Sequence, residues 1–147
     1  MEFTALTTTK LGTKAEEIII NEFATSKGFF PYTPNKLASH PIDAILVSGH
    51  CQVWLDIKCK SRRKYFYDTG CDKKDIDAYL KAPCEVYLLW VDIVQKKIYG
   101  NFLKRLNQFR KDENGITYFP LDKMIHFRDM TEEEVVSLKE FERSNYY

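Results

Sequence analysis

Apolar residues first recur at helical spacing at Ile19, Ile20 and Phe23. This predicts a helix from about Thr13 to Ser26, with Gly28 as its stop signal. Thr13 and Glu16 match a Thr-x-x-Glu capping box. Phe29 to Pro41 holds three prolines and reads as an extended loop with a short strand at its start. Ile42 to Val47 and Gln52 to Lys60 read as two strands. Gly49-His50 between them suits a two-residue hairpin turn with Gly first. That register sets Val47 opposite Gln52, Ile45 opposite Trp54 and Asp43 opposite Asp56. Strand alternation then sorts the side chains. One face carries Asp43, Ile45, Val47, Gln52, Trp54, Asp56 and Lys58. The other carries Ile42, Ala44, Leu46, Val53, Leu55, Ile57 and Cys59. Both faces are largely apolar, so the hairpin is expected at the centre of a sheet covered on both sides.

Further along, Ser61 to Lys74 is polar, basic and aromatic by turns and reads as a loop. Lys74 to Leu80 fits a short helix. Glu85 to Ile93 is a strong strand, Gln95-Lys96 its turn, and Lys97 to Phe102 the returning strand. Leu103 to Phe109 reads as a short helix and Asp112 to Gly115 as a turn. Ile116 to Phe127 supplies one or two short strands. Thr131 opens a last helix to about Ser144, with Thr131 and Glu134 as a second capping box. The order predicts an α/β fold, a mixed central sheet flanked by helices.

Composition narrows the class. The 147 residues fit one domain. An apolar share of 44% with a formal charge of +1 excludes intrinsic disorder. No apolar stretch is long enough for a membrane span, and Met1 to Lys10 has no apolar signal core, so a cytoplasmic, non-membrane protein is expected. Cys51, Cys59, Cys71 and Cys84 form no Cys-x-x-Cys pair, and His40, His50 and His126 are scattered. Reduced thiols are expected rather than a zinc site. The near-zero charge is a sum of opposed regions. Residues 57–81 hold eight Lys or Arg against four Asp, and residues 129–147 hold six acids against two bases.

The chemistry concentrates on one face of the hairpin. Asp43 and Asp56 face each other across the ladder, and Lys58 follows on the same side. Two carboxylates so close in an apolar setting need a counter-charge. Mg²⁺ is one solution, since it binds oxygen ligands and commonly takes one or two carboxylates; Mn²⁺ would substitute. The Ile57 carbonyl would add another oxygen. The alternative is an ion-pair cluster with no catalytic role.

Pro41-Ile42-Asp43, thirteen residues before Asp56-Ile57-Lys58, resembles the PD-(D/E)XK nuclease motif, with one residue inserted into the usual Pro-Asp. Gly12-Thr13-Lys14-Ala15-Glu16-Glu17-Ile18-Ile19 and Ser26-Lys27-Gly28-Phe29 are similar to the first helix of archaeal Holliday junction resolvases. The resemblance spans about residues 10–105, leaving about 106–147 as a C-terminal extension of a single domain. It implies the restriction-endonuclease-like fold and metal-dependent hydrolysis of DNA phosphodiesters. It also implies a helical Glu at the metal. Glu16 shares the side of Ile19, Ile20 and Phe23, whereas Glu17 matches better counted back from Gly28; Glu16 is favoured narrowly. Asp43, Asp56, the Ile57 carbonyl and the helical Glu would bind the metal. Lys58 would orient or help deprotonate the attacking water. Lys60, Arg62, Arg63 and Lys64 are the expected DNA-backbone contacts, with Tyr65 to stack on bases. Lys74 and Tyr79 are candidates for a side chain sent back to the site by the next helix. A phage or other mobile-element setting, and a homodimer with one site per strand, would suit such a chain. Branched-DNA resolution, a catalytically inactive nucleic-acid-binding module and a structural protein of the same fold are the alternatives.

Overall fold

The computed structural model describes residues 15–33 and 42–138. Helix α1 (15–26) buries Ala15, Ile19, Ile20, Phe23 and Ala24 along one face. It stops where expected. Gly28 takes φ +77°, the Gly28 N–H returns to the Thr25 carbonyl at 3.1 Å, and the Phe29 N–H to that of Ala24 at 2.8 Å. This is a Schellman ending, which needs a left-handed residue. Thr13, the expected start of this helix and of its capping box, lies outside the described residues, as does His40.

Three strands follow: β1 (Phe30–Tyr32), β2 (Ala44–Ser48) and β3 (Cys51–Lys58). The hairpin has the expected register, with Ile45 opposite Trp54, Val47 opposite Gln52 and Gly49 at φ +58° in the turn. Further strands are β4 (Asp68–Asp72), β5 (Glu85–Asp92), β6 (Lys97–Phe102), β7 (Lys111–Glu113), β8 (Ile116–Pro120) and β9 (Ile125–Asp129). The helices between them are α2 (Lys73–Tyr79) and α3 (Leu103–Leu106), and α4 (132–138) follows. The main sheet has six strands in the order β1-β2-β3-β5-β6-β9, with β3 and β5 parallel. The second has three, β4-β8-β7.

The main sheet is covered on both faces, as the two apolar faces of its hairpin require. Ala44, Leu46, Val53, Leu55 and Ile57 pack with α1 and with Val135 and Leu138 of α4. Ile45, Trp54, Val86, Leu88 and Trp90 pack with Ile76 and Tyr79 of α2, Leu103 and Leu106 of α3, and Cys71 and Phe119 of the small sheet. Ile42 departs from its expected face and joins this second layer, because β2 begins only at Ala44 and the alternation does not extend back to it. The second capping box forms: the Glu134 N–H donates to Thr131 Oγ1 at 3.2 Å, and Glu134 Oε1 accepts the Thr131 N–H at 2.9 Å. Arg128 ties this helix to α1 through Glu134 at 2.7 Å and Glu22 at 2.7 Å.

Two strands escaped the pattern. β4 lies within the stretch read as loop, since Asp-Thr-Gly-Cys-Asp has no apolar alternation. It becomes a strand because β8 pairs with it and the Trp90 Nε1–H donates to the Gly70 carbonyl at 3.3 Å. β7 is entirely exposed and charged; the Asn114-Gly115 turn, with φ of +52° and +80°, folds it back on β8.

Gly100 in β6 sits so close to β5 that an added Cβ would lie 1.9 Å from the Leu88 carbonyl oxygen. Gly100→Ala is therefore expected to destabilise by about 3 kcal/mol or more, since the obstacle is backbone. Urea denaturation checks this; an unchanged midpoint would contradict the packing of β5 on β6.

Candidate active site

Asp43 immediately precedes β2. Its N–H donates to the Leu55 carbonyl at 3.0 Å, and its Oδ2 accepts the Ile57 N–H at 2.7 Å. The side chain thus replaces a backbone rung where the hairpin ladder opens. This brings the Asp43 carboxyl against that of Asp56, which is only 5% exposed. Burial raises the Asp56 pKa, Lys58 opposes the rise, and the hydrogen bond and charge of Asp43 add to it, leaving the group at about 7. Asp56 Oδ2 is buried and makes no hydrogen bond. The Lys58 Nζ lies 3.0 Å from it, close enough for an ion pair but off the hydrogen-bond direction.

Lys58 also meets Asp75 Oδ2 at 3.1 Å, and its ammonium lies 6.0 Å from the Tyr79 ring. Burial pulls the Lys58 pKa down, but Asp56 and then Asp75 outweigh it, so the side chain is held above its ordinary value and stays cationic. The Tyr79 hydroxyl is pushed up by burial and by Asp56, with which it shares a hydrogen bond. Asp75 and Tyr79 stand four residues apart on α2, hence on one face, with Ile76 beside them in the core. The small sheet delivers α2 to this position, since β4 runs directly into it.

The structure thus brings together Asp43, Asp56, Lys58 and Tyr79, and adds Asp75, which the sequence reading did not single out. The four-residue spacing to Tyr79 is the signal that could have found it. Lys74, on the same helix, is exposed on a separate surface with Lys81 and Asp77. Glu16 is half-buried on α1, the helix that covers the opposite face of the sheet, and Glu17 is exposed. Among the described residues, no three of His, Cys, Asp and Glu gather closely enough to hold a metal ion together. Ile57 meets Asp43 through its N–H.

The basic stretch divides. Lys60 and Lys64 are exposed. Arg63 makes two bonds of 2.6 Å to the Asp68 carboxylate and stacks 3.6 Å from the Tyr118 ring centroid. Arg62 donates from its side chain to the Arg63 and Phe66 carbonyls, each at 3.1 Å. Arg62 is committed to the loop itself and Arg63 to the small sheet beside it. Tyr65 is 82% exposed.

Comparison of the fold with solved structures finds the Holliday junction resolvase Hjc from Archaeoglobus fulgidus. It matches at TM-score 0.56 and 11% identity, over 80% of this chain and 90% of that one. A nuclease from a fusselovirus matches at TM-score 0.50 and 14% identity, over 99% of this chain and 98% of that one. This chain has the restriction-endonuclease-like fold. No protein-family model matches it. No curated protein matches it in sequence. Among the described residues, no helix is long and apolar enough to cross a membrane.

The raised Asp56 pKa couples stability to pH. From near 3.8 up to about 7 the folded protein keeps a proton that the unfolded chain releases. Stability is therefore fully present below the lower value and is lost as pH rises through the upper one, by on the order of a few kcal/mol. In chelator-treated protein, urea midpoints should fall between pH 4 and 7.5, and Asp56→Asn should flatten that fall. Equal slopes in the two proteins would contradict the buried carboxyl pair.

Proposed function

We propose that the chain is a divalent-metal-dependent endonuclease that hydrolyses phosphodiester bonds in DNA. One observation carries this reading: Asp43 and Asp56 are pressed together beside a cationic Lys58 where β2 and β3 meet. The fold supports it, because the two similar structures are a resolvase and a nuclease.

The residues present fit a Mg²⁺ or Mn²⁺ ion. The donors are hard oxygens, and Asp56 Oδ2 is buried with the Lys58 ammonium 3.0 Å away as its counter-charge. Two carboxylates match the habit of Mg²⁺, which takes one or two from the protein and leaves other positions to water and phosphate. Asp43 and Asp56 would hold the ion. The resemblance implies the Ile57 carbonyl and a helical Glu (Glu16, or Glu17 as its alternate) as further ligands, but α1 packs on the other face of the sheet and neither Glu gathers with the two aspartates. Once bound, such an ion supplies Lewis acidity toward the phosphate and a water of lowered pKa.

The chain's own groups do the rest. Lys58, held protonated, serves as a fixed positive charge that orients the nucleophile and stabilises charge developing on the phosphoryl oxygens. Its two carboxylate partners make it a poor base, so the water-deprotonating role is set aside. Asp75 aims the ammonium and Tyr79 fixes the Asp56 carboxylate; both are positioning residues. Lys60 and Lys64 are the phosphate contacts favoured by exposure. Two copies would be needed to cut both strands, which favours a homodimer. Cleavage of branched DNA is the second reading, favoured by the likeness to the Archaeoglobus fulgidus resolvase. A phage-type or host-cytoplasmic setting suits either.

Plasmid and four-way-junction substrates with Mg²⁺ or Mn²⁺ test the proposal. Asp56→Ala and Lys58→Ala should each lower cleavage at least about 10²-fold with the circular-dichroism spectrum retained. Asp75→Asn should lower it about 10-fold, as loss of a supporting partner does. Absence of metal-dependent cleavage by the unaltered protein on DNA substrates of every shape would overturn the reading.

A further inference from the structure

We infer that the loop 61–67 is a stacking platform for unpaired bases, so that the substrate carries a single-stranded segment beside the bond to be cut. The inference rests on the nuclease reading for the second clause only. Tyr65, Phe66 and Tyr67 are consecutive and 82%, 55% and 63% exposed. Three adjacent rings left in water are an uncommon expense for a surface and mark a contact site.

The rings are not loose. Arg63 lies 4.2 Å from the Phe66 ring centroid, Arg62 4.9 Å from that of Tyr67, and the Lys64 ammonium 5.3 Å from that of Tyr65. The loop backbone is pinned as well. The Arg63 N–H donates to the Asp68 carbonyl at 2.9 Å, the Leu121 N–H to the Tyr67 carbonyl at 3.0 Å, and the Arg62 N–H to Asp92 Oδ2 at 2.9 Å. Each ring thus has a cation against it and keeps more than half of its surface open. Rings held in place lose little freedom when a base stacks on them, and an adjoining cation adds attraction for the base and its phosphate.

Charge and location choose the occupant. The arginines are already engaged and hold rings, while Lys60 and Lys64 flank the loop and are exposed. Lys60 stands two residues beyond Lys58 of the candidate site. Tyr67 also walls a cavity of about 220 Å³ that Arg62, Lys97 and His126 help to line. Three rings among cations, on the loop that follows the strand carrying Asp56 and Lys58, match a nucleic-acid strand whose bases are splayed out. Duplex bases, already stacked on each other, offer no face to such rings.

Fluorescence anisotropy in chelator, with no cleavage, tests this. The probes are a labelled thymidine 20-mer, the corresponding duplex, a duplex with a single-stranded tail, and anionic phospholipid vesicles. The native chain should bind the single strand and the tailed duplex more tightly than the blunt duplex. Tyr65→Ala and Phe66→Ala should each weaken single-strand binding about 5- to 100-fold and leave blunt-duplex binding unchanged. Tyr65→Leu, which keeps apolar bulk without a ring, should lose as much as Tyr65→Ala. Ring-independent binding, equal losses on single strand and duplex, or binding to vesicles but not to oligonucleotides would overturn the inference. A chain that binds single strands through these rings yet cleaves nothing would sink the nuclease reading and leave the platform standing. A chain that cleaves with ring-independent affinity would do the reverse.

Discussion

The Asp43 carboxylate accepts a hydrogen bond from the Ile57 amide where the β2–β3 ladder opens, and the arrangement around it depends on that bond. It sets the Asp43 side chain against Asp56, whose own backbone is paired with Leu88 of β5. A carboxylate pair in so dry a place is unfavourable alone. The neighbourhood answers with a cation, Lys58, and with a phenol hydrogen-bonded to Asp56, Tyr79. Asp75 then holds the far side of the Lys58 ammonium. The small sheet has a purpose in this scheme: it brings in α2, which carries both Asp75 and Tyr79.

The same division of labour runs through the basic segment after β3. Three of its eight cations are paired with neighbouring carboxylates. Lys58 answers Asp56 and Asp75, Arg63 answers Asp68, and Lys73 answers Asp77. What reaches the surface is less a basic patch than three aromatic rings backed by cations, flanked by Lys60 and Lys64. Arg62 bonds loop carbonyls and Arg63 grips the half-buried Asp68 carboxylate with two bonds, so both fix the shape of the loop. Catalytic charge and strand recognition are thereby separated along a few residues of chain.

Legibility from sequence followed the strength of local signals. The hairpin register was readable because Gly49 marks the turn and alternation on both faces leaves one pairing that buries the apolar residues. Extended by one pair, that register puts Asp43 opposite Asp56, and the structure sets their carboxyls together. The ending of α1 at Gly28 and the Thr131–Glu134 box were readable for the same reason: a cap is a local hydrogen-bond pattern. β4 was not, because Asp68, Thr69, Gly70 and Cys71 carry no strand pattern and are recruited by β8 and Trp90. The internal use of Arg62 and Arg63 was also hidden. Arg62 turns back on the Arg63 and Phe66 carbonyls, Arg63 meets Asp68 and the Tyr118 ring of a distant strand, and a run of cations in sequence does not say which are already engaged. Asp75 and Lys74 are adjacent in sequence but about 100° apart around the helix, so Asp75 meets Lys58 while Lys74 lies on a separate surface.

The central claim is that the Asp43–Asp56 pair creates a divalent-cation site. Titration calorimetry of Mn²⁺ into chelator-treated protein near pH 7.5 tests it most directly. The native chain should show saturable binding. Asp43→Asn and Asp56→Asn should each abolish it or weaken it at least about 10-fold while thermal unfolding stays cooperative. Binding of equal affinity in the native chain and both variants, or saturable binding in none of them, would contradict the account.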